Sequence, residues 1–130
     1  MFAIIIACHG RLAHELMQSS FIIFGEQADV YAVDYLADED AAQLKAKFTT
    51  VLKQLSSDKE VLFLTDLYGG QPFLTAQSFV KQEPGKYQLL SGVNLAMLLE
   101  SYGDRQTINL DYLAQIGQEA VVAYGGRENV

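Results

Sequence analysis

The first seven residues, Met1 to Ala7, form an unbroken apolar run rich in β-branched side chains. Such a run predicts a strand buried on both faces, as parallel strands are when helices cover their sheet. Polarity begins abruptly at His9, and Gly10 opens a loop. Leu12, Ala13, Leu16 and Met17 then recur at helical spacing, which predicts a helix over about 11–24 that Gly25 stops. Val30, Ala32 and Val33 read as a short second strand. Asp38, Glu39 and Asp40 follow, acidic residues suited to a helix start because the macrodipole favours negative charge there. Leu44, Phe48, Val51, Leu52 and Leu55 trace one apolar face of that second helix.

Val61 to Thr65 is a third strand, ending in Asp66-Leu67-Tyr68-Gly69-Gly70, and Pro72 is placed as the first residue of a helix reaching about Gln82. A Glu83-Pro84-Gly85 turn leads to a fourth strand over Tyr87 to Leu90, then a helix over Asn94 to Tyr102. Leu110 to Gln118 reads as helical, and Val121 to Tyr124 as a last strand. Alternating strands and helices mean βαβ units with right-handed crossovers, hence an α/β fold of three layers, α/β/α, on a mainly parallel sheet. With no repeats or linker, the 130 residues are expected to form one domain, and half of them are apolar, enough for one sizeable core.

Charge and cysteine usage narrow the function classes. Nine Lys+Arg against 16 Asp+Glu give a formal charge of −7, the wrong sign for gripping a nucleic-acid backbone. The single cysteine, Cys8, excludes an intrachain disulfide and fits a reducing compartment, so a cytoplasmic location is expected. No signal segment is seen, and no apolar stretch approaches the roughly 18 residues of a membrane span. Cys8 reads as buried packing, His14 as a surface residue, and Met97-Leu98-Leu99 as core. Cys8, His9 and His14 lack the spacing of a structural zinc set, so neither metal nor cofactor is expected.

In open α/β sheets the ligand crevice lies beyond the carboxyl ends of the strands where strand order reverses. A 2-1-3-4 order brings His9, which follows the first strand, beside Asp66, which follows the third. A hydrogen bond from Nδ1–H to the carboxylate leaves the Nε2 lone pair free and more basic, able to attack phosphorus. A phosphoryl group also needs fixed donors. Gly69 and Gly70, ahead of a helix N-terminus, can turn backbone N–H groups onto an anion, Gly10 belongs to the same crevice, and Gln71 can add a side-chain donor. Arg11, two residues past His9, can neutralise charge, though its direction is not legible in sequence. Each of these has an ordinary structural reading, as loop, cap or turn. Their convergence on one crevice favours the functional one.

These residues carry a resemblance. A strand ending in His9-Gly10 with Leu12-Ala13 after it, Leu64-Thr65-Asp66-Leu67-Tyr68-Gly69-Gly70 with Pro72-Phe73, and Ser91-Gly92-Val93-Asn94-Leu95 resemble the enzyme IIA domain of the mannose/fructose/sorbose family of the sugar phosphotransferase system. The resemblance covers roughly residues 1 to 125 and implies a flavodoxin-like fold. It implies a phosphocarrier that takes phosphate from the histidine-containing phosphocarrier protein and passes it to a histidine of enzyme IIB, which serves a IIC/IID membrane permease. His9 matches the phosphorylated residue, Asp66 the carboxylate that orients it, and Tyr68 to Phe73 the segment lining the pocket. A homodimer is implied as well, with a C-terminal strand, here Val121 to Tyr124, antiparallel on the edge of the neighbouring subunit's sheet. Gln71, Leu74 and Ala96 stand where the family often has serine, asparagine and proline.

Other functions compete. A phosphocarrier domain feeding dihydroxyacetone kinase would share histidine and fold, and a flavodoxin-like binding or regulatory module would keep the histidine for structure alone. A receiver domain phosphorylated on aspartate needs an acidic pair where Cys8-His9 stands, and a flavin carrier needs a richer phosphate loop than Gly10 offers.

Overall fold

The computed structural model describes residues 1–127. Four strands alternate with helices: β1 (Ala3–His9), α1 (Leu12–Phe24), β2 (Val30–Tyr35), α2 (Ala41–Lys53), β3 (Val61–Thr65), α3 (Gln71–Gln82), β4 (Tyr87–Ser91), α4 (Leu95–Ser101) and α5 (Leu110–Glu119). All strand pairs are parallel and the order is β2-β1-β3-β4, as expected from the alternation.

The sheet is the middle layer of three. Phe2, Ile4, Ile6 and Cys8 pack on one face with Ala13 of α1, Met97 and Leu98 of α4 and Leu113 of α5. Ala3, Ile5 and Ala7 pack on the other with Leu44 and Phe48 of α2 and Ala76 of α3. This is why β1 carries no polar residue before its tip: Ala3 through Cys8 are fully buried, so both alternating sets of side chains face a core. No helix is long and apolar enough to cross a membrane among the described residues.

The helix boundaries follow local chemistry. Gly25, at φ 96°, ends α1 and donates its N–H to the Phe21 carbonyl. Asp40 caps α2, accepting from the Gln43 N–H while the Gln43 side chain accepts from the Asp40 N–H. Asn94 and Asn109 cap α4 and α5 in the same sense, through the N–H groups of Met97 and Tyr112.

Three expectations need correcting. Pro72 occupies the second position of α3, because Gln71 already has helical geometry after the Gly70 cap. The second strand continues to Tyr35, since the neighbouring β1 keeps offering ladder partners as far as His9. Val121 to Tyr124 is not a strand. The segment follows α5 with no strand beside it among the described residues to complete a ladder, and Val121, Val122 and Tyr124 are 80%, 75% and 97% exposed.

Candidate functional site

Parallel pairing puts the carboxyl ends of β1 and β3 side by side, with Ala7 opposite Thr65. The next residues out are Cys8-His9 and Asp66. The Asp66 carboxylate holds His9 twice: the His9 backbone N–H donates to Oδ2 at 3.0 Å, and ring Nδ1 lies 3.0 Å from Oδ2 and 3.2 Å from Oδ1. A carboxylate only accepts, so Nδ1 carries the proton, and in the neutral ring that leaves the lone pair on Nε2. The His9 side chain is 44% exposed and that of Asp66 15%, so the ring is open to solvent while its anchor is sheltered.

The ring is wedged from two directions. The Tyr35 ring lies 5.9 Å away, edge to face, and His9, Gly10, Tyr35, Leu36, Ala37 and Glu39 line a hollow of about 290 Å³. Toward α3, a methyl group on Gly70 would stand 2.8 Å from His9 Cε1 and 3.4 Å from Nε2, so the site requires glycine for room. Gly69 has φ +81° and Gly10 has φ +61°, left-handed conformations that glycine adopts without cost.

Of the expected phosphate binders, Gly10 and Gly70 have N–H groups that are already engaged. Gly10 donates to the Tyr35 carbonyl at 2.7 Å, and Gly70 to the Leu67 carbonyl at 3.0 Å. Among the described residues, the N–H groups without a backbone acceptor at this helix end are those of Gly69, Gln71 and Phe73. Arg11 pairs with Asp34: its Nη1 lies 3.7 Å from Asp34 Oδ2. Asp34 pairs with Cys8 in the β1–β2 register, and Tyr35 with His9. Neither Asp34 nor Tyr35 stands out in sequence, because what brings them to the site is the extension of β2 alongside β1.

Several neighbours do no chemistry visible here. Cys8 is fully buried, and its thiol is pushed up to about 12 by burial and then by the charges of Asp66 and Asp34, so it is an inert packing group. His14 lies half-buried on α1. Glu39 is held below the ordinary carboxylate range by hydrogen bonds from Lys47 and the Leu36 N–H. The Ser91-Gly92-Val93-Asn94 stretch has a structural purpose: the Gly92 and Val93 N–H groups both donate to the Thr65 carbonyl, fixing the end of β3 just before Asp66.

Comparisons with known proteins agree on one family. The family model described as "PTS system fructose IIA component" matches residues 3–116. The fructose-specific EIIA component of Bacillus subtilis is 36% identical over 110 residues, covering 85% of this chain and 75% of that one. The mannose-specific EIIAB component of Escherichia coli K12 is 37% identical over 99 residues, 76% of this chain but 30% of that longer protein. Among solved structures, the mannose/sorbose specific IIA subunit from Enterococcus faecalis superposes with a TM-score of 0.85 at 33% identity, covering 99% of this chain and 98% of that one. The phosphotransferase system EIIA component from Streptococcus agalactiae does so with a TM-score of 0.84 at 28% identity, covering 95% and 97%. A family match that takes in nearly all of the fold, with relatives above 30% identity on both sides of it, makes this chain a member of the EIIA-man family, the IIA components of the phosphotransferase system.

Proposed function

We propose that His9 accepts a phosphoryl group on Nε2 from the histidine-containing phosphocarrier protein and hands it to a histidine of enzyme IIB, which serves sugar uptake through a IIC/IID permease. The observation that carries this reading is the tethered ring, with Nδ1 held by Asp66 and Nε2 left free at a half-exposed tip. In the first transfer the N–P bond of the donor breaks, its electron pair returns to the donor imidazole, and the His9 Nε2 lone pair forms the new bond. The Nδ1 proton stays between ring and Asp66, whose negative charge offsets the positive charge the phosphorylated ring acquires. The free N–H groups of Gly69, Gln71 and Phe73, at the positive end of α3, receive the phosphoryl oxygens, while Gly70 supplies space and Gly10 the turn.

The surroundings suit a protein rather than a small donor. Leu67 and Tyr68 on the segment joining Asp66 to α3, and Leu74 in the first turn of α3, are exposed, with the Tyr68 and Phe73 rings 4.9 Å apart. Exposed apolar side chains around a reactive tip give docking partners something to bury. A cytoplasmic location fits both partners. We also propose a homodimer in which residues 121–124 add antiparallel to the free edge of the partner's β4, which would cover the apolar residues left bare here.

Incubation with phosphoenolpyruvate, enzyme I and the phosphocarrier protein is expected to add one acid-labile phosphate, and His9→Ala to abolish it. Full labelling of that variant would reject the assignment. Asp66→Asn is expected to preserve the fold and slow acceptance by about 10²-fold, the scale of a lost charge partner in proton and group transfer. An unchanged rate would remove Asp66 from the mechanism.

A further inference from the structure

Taking His9 as the carrier, we propose that Arg11 binds the phosphoryl group once it is in place, and that Asp34 is a positioning residue that holds the guanidinium in reserve until then. The two acceptors compete for one cation, so the pair sets how firmly the chain keeps its phosphoryl group.

The Arg11–Asp34 contact is poised to exchange. At 3.7 Å it is an ion pair without a hydrogen bond, and the Arg11 side chain is 64% exposed, so the contact is weakly held. The carboxylate it faces is only partly satisfied. Asp34 is 17% exposed, and its Oδ1 is buried without a hydrogen-bond partner among the described residues. Asp34 lies opposite Cys8 in the strand register, one residue short of the nucleophile. Arg11 lies two residues beyond it, a span of at most about 7 Å that an arginine side chain covers.

Charge balance supplies the drive. The tip already gathers Asp34, Asp66 and Glu39, and a phosphoryl group adds close to two further negative charges. Lys47 is committed elsewhere, 2.7 Å from Glu39 Oε1 and 2.8 Å from the Asp34 carbonyl oxygen. Arg11 is the loosely held cation, and its planar fork suits phosphoryl oxygens better than a 3.7 Å pairing. Its departure leaves a half-buried carboxylate unpaired, and that is the restoring force which returns the arginine and helps release the group to the next carrier.

A double-mutant cycle on the equilibrium of phosphoryl exchange with purified phosphorylated phosphocarrier protein tests this, using the full chain with His9 intact. Arg11→Ala is expected to shift the equilibrium away from the phosphorylated chain, and Asp34→Asn toward it, each by about threefold. In an Arg11→Ala background, Asp34→Asn is expected to lose most of its effect. Simple removal of a negative charge would instead act equally in both backgrounds, and that result, or no shift in either, overturns the proposal. Asp34→Ser runs in parallel as a second variant, and the Arg11 Nε–Hε resonance, expected to move on phosphorylation in the wild type, gives a readout independent of folding stability. A static resonance also counts against the exchange. Failure of His9 as the carrier has a different signature, undiminished labelling of His9→Ala.

Discussion

Two adjacent glycines in the loop before α3 do different work, and the difference is measurable. Gly70 has an ordinary φ of −72°, so alanine is tolerated by the backbone, but its methyl would press on His9 Cε1 at 2.8 Å and the Leu67 carbonyl at 3.2 Å. Gly69 has open space around it and a φ of +81°. Gly70→Ala is therefore expected to displace the ring and slow phosphoryl acceptance by tenfold or more, on the order of what small misplacements cost. Gly69→Ala is expected to lower stability by about 1 kcal/mol through backbone strain. Initial transfer rates and urea unfolding of both variants check the division. At this scale His9 and Asp66 were legible because each directly follows an apolar strand run. The Arg11 direction was not, because an arginine at a helix start can turn to any nearby acceptor, and the acceptor, Asp34, is chosen by strand register.

Among the elements, the ones that read clearly are those whose signal is local. The apolar run of β1, the acidic start of α2 with its Asp40–Gln43 box, and the glycine stop of α1 each specify an end or a face by short-range chemistry. Val121 to Tyr124 misled because a short run of apolar, β-prone residues signals a surface that needs covering, and a strand forms only where a ladder partner exists. If the partner's β4 is that surface, deleting residues 121–124 is expected to leave a folded monomer where the full chain sediments as a dimer. Equal sedimentation of the two would dismiss this segment as the contact. Among the described residues β4 has a ladder on one side only, through β3, so its other edge is the one available to receive a strand.

Across the whole molecule, the parallel sheet has two unlike ends. At the amino ends of the strands the buried Arg105, 6% exposed, donates to the Phe2 carbonyl through Nε at 3.1 Å and Nη2 at 2.8 Å, to Ala28 at 2.6 Å and to Asp29 at 3.0 Å. It thereby ties the chain entering β1 to the chain entering β2. The sequence offered no sign of this, since the residue lies in a polar loop between α4 and α5 and its partners are backbone groups. Arg105→Ala is expected to cost about 2–4 kcal/mol in urea unfolding, because four hydrogen bonds to three carbonyls are lost where the chain enters the core, while phosphoryl acceptance at 25 °C stays near normal. An equal fall in both quantities would tie the two ends together.

Because every strand runs in one direction, the Arg105 clamp and the rim proposed to meet the carriers are kept about a strand's length apart. Random substitutions should then sort by height along the sheet: those at the Arg105 end surface in heat-challenge screens, those at the His9 end in growth on a single sugar, with little overlap. A lineage can retune its rim to a new partner without spending thermal tolerance.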